Sequence, residues 1–279
     1  MAHSLLSLRR FSDSLSSVDK EMPVLFIGHG SPMNGIENNV FSGKWKELGS
    51  KLEVPKAVLV VSAHWLTKGT RVTAMNFPKT IHDFGGFPPA LFDVKYPAPG
   101  DPALAGHIKG MIVKTQVEED HEWGMDHGAW TVVRHMYPDA RIPVLQLSID
   151  YSKDMRYHYE LAAELKQLRK KGVLIIGSGN MVHNLGMISW EKMNEINFGF
   201  DWAVKMNHTF KDLILKSDHD KLINYESLGR EARLAIPTPD HYIPLLYTLG
   251  LRSLKDDVSF FNDNAVGGSI TMTSVQFSS

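Results

Sequence analysis

Three times in this sequence a run of β-branched and apolar residues ends in a turn of small residues that carries a histidine. Pro23 to Ile27 leads into GHGSP, Ala57 to Val61 into SAHW, and Val173 to Ile176 into GSGNMVHN. A fourth apolar run, Ile142 to Ile149, has the same character without the histidine. Unbroken apolar runs of this length are expected of strands covered on both faces, since a half-exposed strand would alternate with period two. The segments between them are helical in pattern: Asp101 to Lys114, Gly128 to Met136, Asp154 to Lys171 and Phe200 to Lys216 carry apolar residues at spacings of three and four. Strands alternating with helices predict an α/β fold, a single three-layer domain with a central sheet between helical layers. VTAMNF and the tail SITMTSVQF alternate with period two and add further strands, so the sheet is expected to be mixed, though largely parallel.

No Pro/Gly/Ser-rich linker, internal repeat or low-complexity stretch divides the chain, and 279 residues suit one α/β domain. That domain is expected over residues 22–279, with residues 1–21 as an N-terminal extension. The extension's Ser, Leu and Arg content is shared with organelle transit peptides, but Asp13, Asp19 and Glu21 oppose that reading. No apolar run approaches the roughly 20 residues that span a bilayer, so a cytoplasmic protein is expected.

Charge narrows the partners. Lys and Arg number 30 against 31 Asp and Glu, a net charge of -1, which leaves no basic footprint for nucleic acid or for a membrane surface. A small-molecule partner is the expectation. The absence of cysteine removes disulfides, thiolate zinc sites and a cysteine nucleophile, leaving any metal to histidines and carboxylates.

In open α/β sheets ligands bind beyond the carboxyl ends of the strands, where His29, His64 and His183 all fall. One loop histidine is more often a capping or surface residue than a ligand; three with the same placement can converge on one pocket. His241, in AIPTPDHYIPLLY, is a fourth candidate. Its neighbour Asp240 is equally readable as a helix-capping acid or as the carboxylate of a two-histidine, one-carboxylate metal site, and the sequence leaves both open. His127, in EWGMDHGAW, opens a helix in a partly apolar setting suited to a neutral imidazole, although Asp126 could be a simple cap beside it. His82 and Phe84 lie in TIHDFGGFPPALF, a loop long enough to cover a pocket and meet an aromatic ligand, or to pack on itself. His3, His107, His121, His135, His158, His208 and His219 sit in charged or helical contexts and read as solvated or structural.

Neutral imidazoles without thiolates suit Fe, Zn, Cu or Ni, and three protein ligands with open positions make a catalytic rather than a structural site. HExxH is absent, GHGSP and GSGN do not form the GxSxG elbow around Ser31 or Ser178, and the Rossmann and Walker spacings are missing.

The blocks MPVLFIGHGSPMN, VVSAHW, TIHDFGGFPPALFDVKYPAPG, WGMDHGAW, MYPDARIPVLQLSID, GSGNMVHNL and PTPDHYIPLLY occur in this order over most of Met22 to Gly250. In that order they resemble the 4,5-DOPA extradiol dioxygenase family, part of the wider class III extradiol enzymes. The resemblance implies that His29, His64 and His241 are metal ligands, His241 standing where the wider class has a glutamate. It implies His183 as the acid/base beside the metal, close enough to serve as a fourth ligand without substrate, and His127 as a substrate contact. It further implies iron(II) for activity, with zinc(II) able to occupy the same site, and a catechol and O2 as substrates opening to a semialdehyde acid. The competing readings are a zinc-dependent hydrolase on the same scaffold and a non-catalytic metal or aromatic-ligand binder. Nothing in these residues names one catechol over another, or an oligomeric state.

Overall fold

The computed structural model of the chain describes residues 20–279 apart from Asn194 and Ile196. The expected N-terminal extension therefore lies, up to residue 19, outside the described residues.

The described residues form ten strands: β1 (Val24–Gly28), β2 (Ala57–Thr67), β3 (Thr70–Thr73), β4 (Val117–Asp120), β5 (Val144–Asp150), β6 (Val173–Gly179), β7 (Asp257–Phe261), β8 (Ala265–Val266), β9 (Ile270–Thr271) and β10 (Ser274–Ser278). Eight of them form one sheet in the order β4-β3-β5-β2-β6-β1-β10-β7, while β8 and β9 pair as a small separate ribbon. The central strands β5, β2, β6 and β1 run parallel. β10 joins β1 antiparallel, β7 joins β10 antiparallel, and β3 meets β5 antiparallel. The sheet is thus mixed with a parallel centre. No described helix is long and apolar enough to cross a membrane.

The parallel centre is covered on both faces: β1, β5 and β6 are buried at every position and β2 over its first seven. On β1, Val24 and Phe26 point into one core with Leu59 and Val61 of β2, while Leu25 and Ile27 point into the other with Val58 and Val60. The main helices are α1 (Val40–Lys51), α2 (Pro102–Met111), α3 (His127–Met136), α4 (Met155–Ala163), α5 (Asp201–Leu215) and α6 (Ile243–Leu251). α2, α4, α5 and α6 bury their apolar sides in the first core; α1 and α3 bury theirs, with Trp45 and Trp130, in the second. Each large aliphatic side chain so buried contributes about 1.5–3 kcal/mol of transfer free energy.

Three elements differ from expectation. β2 does not end at Val61 but continues to Thr67 through an irregularity: Val61 pairs with Leu147 and Leu66 with Ile149, so β2 advances five residues while β5 advances two. The stretch expected as one helix from Asp154 to Lys171 breaks into α4 and a short turn of helix at Gln167–Lys170. Its break frees Arg169 to turn inward, where it is 1% exposed and pairs with Asp256 at 2.7 and 2.8 Å while also donating to the carbonyls of Met22 and Leu251. The tail is interrupted at Met272 and Thr273, which divide β9 from β10.

Candidate metal centre and active site

Sheet register determines where the site falls. Ile27, Ser178 and Ser62 lie in one row across β1, β6 and β2. His29 and His64 each follow two residues beyond that row, so both emerge at the same end of the sheet. The β2 irregularity falls between Val61 and Leu66, and the bulged backbone re-aims His64 at the cavity rather than leaving it in the strand's regular alternation.

Beyond β1 the chain must turn at once. Gly30 does so with φ of 61°, and a Cβ there would lie 2.4 Å from the Met272 sulfur. Ser31 then caps a short 3-10 helix at Pro32–Gly35, and Asn34 Nδ2 donates to the His29 carbonyl at 2.9 Å. His241 arrives from the turn before α6. Its carbonyl accepts from Asn180 N at 2.9 Å, and it passes so close to β6 that a Cβ on Gly179 would lie 2.1 Å from its oxygen. His183 is held by its own backbone, with N–H donating to the Ala235 carbonyl at 2.9 Å. His127 is the first residue of α3, capped by Asp126, whose carboxylate accepts from Ala129 N at 3.1 Å.

These elements bring His29, His64 and His241 together with one nitrogen from each within 4.8 Å of the others. His29 Nε2 and His64 Nε2 are 3.1 Å apart. The protons can be assigned from the neighbours. Ser178 Oγ donates its single hydrogen to the Gly128 carbonyl at 2.6 Å, so at 3.0 Å from His29 Nδ1 it can only accept. His29 therefore carries its proton on Nδ1. Asp240 Oδ2 accepts from His241 Nδ1, and His64 Nδ1 lies 3.4 Å from Asp83 Oδ2. His29 and His241 thus keep their protons on Nδ1, and a proton held on His64 Nδ1 by Asp83 would leave Nε2 of that ring free as well. In that tautomer the Nε2 lone pairs of His29 and His64 face one another at 3.1 Å and repel unless a cation lies against both, so the donor set fits a metal ion bound by three imidazoles. Asp240, left open between cap and ligand by the sequence, stands against Nδ1 of His241 as the group that orients it.

Electrostatics agree. Burial, reinforced by the surrounding histidines, pushes His29 and His64 well below the ordinary imidazole range. Burial and then His241 bring His183 down to about 3. Three rings that stay neutral at pH 7 are three available ligands or bases. Burial raises the Asp240 carboxyl, but the His241 hydrogen bond and charge outweigh it and hold the group below the usual carboxylate range.

Around the three rings stand the remaining candidates. His183 stacks on His241 with ring centroids 3.7 Å apart and planes within 5°. The centroid of His127 lies 3.9 Å from that of His64. Asp83 joins those last two: its carboxylate accepts from His127 N at 2.9 Å and His127 Nδ1 at 3.0 Å, so His64, Asp83 and His127 form a second cluster sharing His64. With Nδ1 committed to Asp83, Nε2 of His127 is the nitrogen left to meet a ligand. Beneath them Asp126, fully buried, accepts from Ser62 Oγ and Gln146 Nε2, both at 2.7 Å. Ser62 Oγ in turn accepts from His64 N at 3.2 Å, tying the bulge to the start of α3.

All five histidines line one cavity of about 400 Å³, closed by Pro32, Phe87, Leu185, Ile188 and Ile270 among others. The glycine-rich loop contributes Gly85, Gly86 and Phe87 to the wall. His82 and Phe84, expected there, stand behind it. His82 Nε2 bonds the Val94 carbonyl at 3.0 Å and its ring packs on Phe84 and Trp130, while Phe84 backs the His127 ring at 5.6 Å.

Sequence reasoning missed Asp83, Ser178 as an orienting group, and the Ser62–Asp126–Gln146 network. Asp83 was visible beside His82 in the quoted loop, but its reach to a histidine 44 residues later has no local signature.

Residues 23–274 match the family model described as the catalytic LigB subunit of aromatic ring-opening dioxygenase. The chain is 46% identical over 260 residues to a 4,5-DOPA dioxygenase extradiol of Escherichia coli (strain K12), covering 91% of this chain and 94% of that one. It is 34% identical over 274 residues to a protein of the same description from Beta vulgaris, covering 95% and 100%. A crystal structure of an uncharacterized protein from Escherichia coli K12 superposes with a TM-score of 0.79 at 40% identity, covering 91% of this chain and 99% of that chain.

Proposed function

The chain belongs to the LigB family of aromatic ring-opening dioxygenase catalytic subunits, and from that premise we propose that it is an extradiol dioxygenase acting on a catechol. The observation that carries the reading is the meeting of one ring nitrogen each from His29, His64 and His241 within 4.8 Å of one another, beside a cavity that also holds His183 and His127. His29, His64 and His241 would hold iron(II), which when bound supplies Lewis acidity toward the diol oxygens and a position for O2. Zinc would fit the same imidazoles, since they do not discriminate by softness.

The protein's own groups then have distinct tasks. His183 is neutral at pH 7 and lies against the ligand cluster, so it takes a proton from a diol hydroxyl and returns it as the ring opens. Asp83 fixes the His127 ring, which offers Nε2 to the bound diol and holds it in one orientation. Ser178 and Asp240 hold two ligand rings in the tautomer the site needs. The apolar wall of Phe87, Ile188 and Ile270 excludes water and receives the ring face. Both atoms of O2 enter the product, a semialdehyde acid.

The test is anaerobic loading with iron(II), then addition of a catechol such as L-DOPA or caffeate and O2. Oxygen uptake matched by a yellow, visible-absorbing product is expected. No uptake with any of a panel of catechols, together with ester or amide turnover by the zinc-loaded protein, would replace this reading with a hydrolase. His183→Gln should retain the metal by elemental analysis and lower kcat by about 10²–10⁴-fold.

A further inference from the structure

A second cavity, of about 360 Å³, adjoins the histidine cavity and shares part of its wall: Gly30, Ser31, Phe87, Trp190, Met193 and Ile270 line both. A ring held at the three imidazoles can therefore extend a substituent toward this second cavity. The far side of this second cavity is apolar on one flank, with Phe41, Val266 and Met272, and polar on the other, with Asn34, Glu37 and Asn39. Trp190 stands between the two spaces with 71% of its surface exposed, more than an indole keeps where packing alone decides its place.

Charge in the lining is one-sided. Among the described lining residues of both cavities there is no lysine or arginine, and Glu37 is the single acid. The Asn39 amide beside it is committed. Asn39 Nδ2 gives one hydrogen to Asn34 Oδ1 at 2.8 Å and the other to Glu37 Oε2 at 3.3 Å, while Asn39 Oδ1 caps α1 by accepting from Phe41 N and Ser42 N. Asn34 Nδ2 is turned to the His29 carbonyl. The charged group that the polar flank presents to a ligand is the Glu37 carboxylate, an acceptor.

We propose that this second cavity receives the ring substituent of the catechol, and that through Glu37 it selects an apolar chain ending in a primary amine over one ending in a carboxylate. The proposal rests on the ring-cleavage reading above for the placement of the ring. An ammonium group meets an opposite charge and an acceptor there, whereas a carboxylate meets a like charge and no cation to pair with. Because Glu37 is exposed, screening keeps its effect modest, at about five-fold for one exposed pair.

The experiment compares four catechols on the iron-loaded enzyme: catechol itself and those bearing a propyl, an aminoethyl or a carboxyethyl chain para to one hydroxyl. Two readouts are taken, kcat/KM for oxygen uptake and Kd by anaerobic calorimetry. The aminoethyl compound should exceed the carboxyethyl one by about ten-fold in both, since attraction on one side and repulsion on the other each count. Glu37→Gln should remove most of that ratio, a cut of about ten-fold, and Glu37→Lys should invert it; the position is exposed. Cleavage of all four compounds with a flat ratio, or a ratio unmoved in Glu37→Gln, overturns the subsite and leaves the ring-cleavage reading standing. If no catechol is cleaved but the anaerobic Kd ratio follows Glu37, the converse holds and the subsite is supported alone.

Discussion

Neither Ser178 nor Asp240 lines the cavity, yet each settles which nitrogen of its histidine turns inward. Ser178 does so by having only one hydrogen to give, and giving it to Gly128. Asp240 does so with charge: it is held ionised beside His241 Nδ1, which raises the basicity of Nε2. Replacing Asp240 by Asn keeps an acceptor and removes the charge, so metal affinity measured by competition with a chelator should fall about 10–100-fold. An unchanged affinity would mean that the carboxylate is only the cap of the turn it sits in. The same measurement on Ser178→Ala separates orientation from charge, since that hydroxyl carries none.

Elements meet at this site with almost no space between backbones. The end of β6 passes the turn before α6 so closely that a methyl group on Gly179 would overlap the His241 carbonyl. Gly179→Ala must therefore push the strand end and the ligand-bearing turn apart. Such overpacking costs about 1–3 kcal/mol, visible as a lower urea midpoint, and metal affinity should fall in the same variant because His241 moves with its backbone. A variant with lowered stability but normal metal affinity would show that the turn yields elsewhere. The bulge in β2 is a comparable device. Ser62 joins it to the Asp126 cap of α3, so the elements carrying His64 and His127 are positioned by one network rather than separately.

For the whole molecule, packing helices onto a two-sided sheet buries groups that would prefer water. His158 of α4 is fully buried against α6, bonded to the Tyr247 hydroxyl at 3.2 Å, and burial lowers it to about 4. The unfolded chain binds a proton there near pH 6.5, the folded chain only near 4. Its contribution is therefore complete above about pH 6.5 and is lost as pH falls from there to about 4, at a slope of about 1.4 kcal/mol per pH unit. Urea unfolding of chelator-treated protein across this window should show that slope reduced in His158→Gln, whose side chain keeps a hydrogen bond but does not titrate. Identical slopes in the two proteins would show that the acid sensitivity arises at groups other than His158. The buried Arg169–Asp256 pair works at the same scale, tying the chain before β1 to the end of α6 through carbonyls of Met22 and Leu251.

Much of this was legible in the chain. Apolar runs without alternation required strands covered on both faces, and turns of small residues after them required that His29 and His183 emerge at one end of the sheet. The ordered blocks gave the family, because local spacing is what such blocks record. Other features had no local cause. Continuation of β2 past Val61 depends on pairing with β5 across a bulge, and the inward turn of Arg169 depends on a buried partner far along the chain. The reach of Asp83 to His127, the replacement of His82 and Phe84 by Phe87 at the cavity wall, and the choice of Nε2 on each ligand ring are contacts between segments. The sequence by itself determined which residues could bind a metal and at which edge of a sheet they would stand, since both follow from residue type and periodicity. Only the tertiary structure decided which nitrogens meet and what surrounds them, because hydrogen bonds and close contacts between distant segments exist only once the chain has packed.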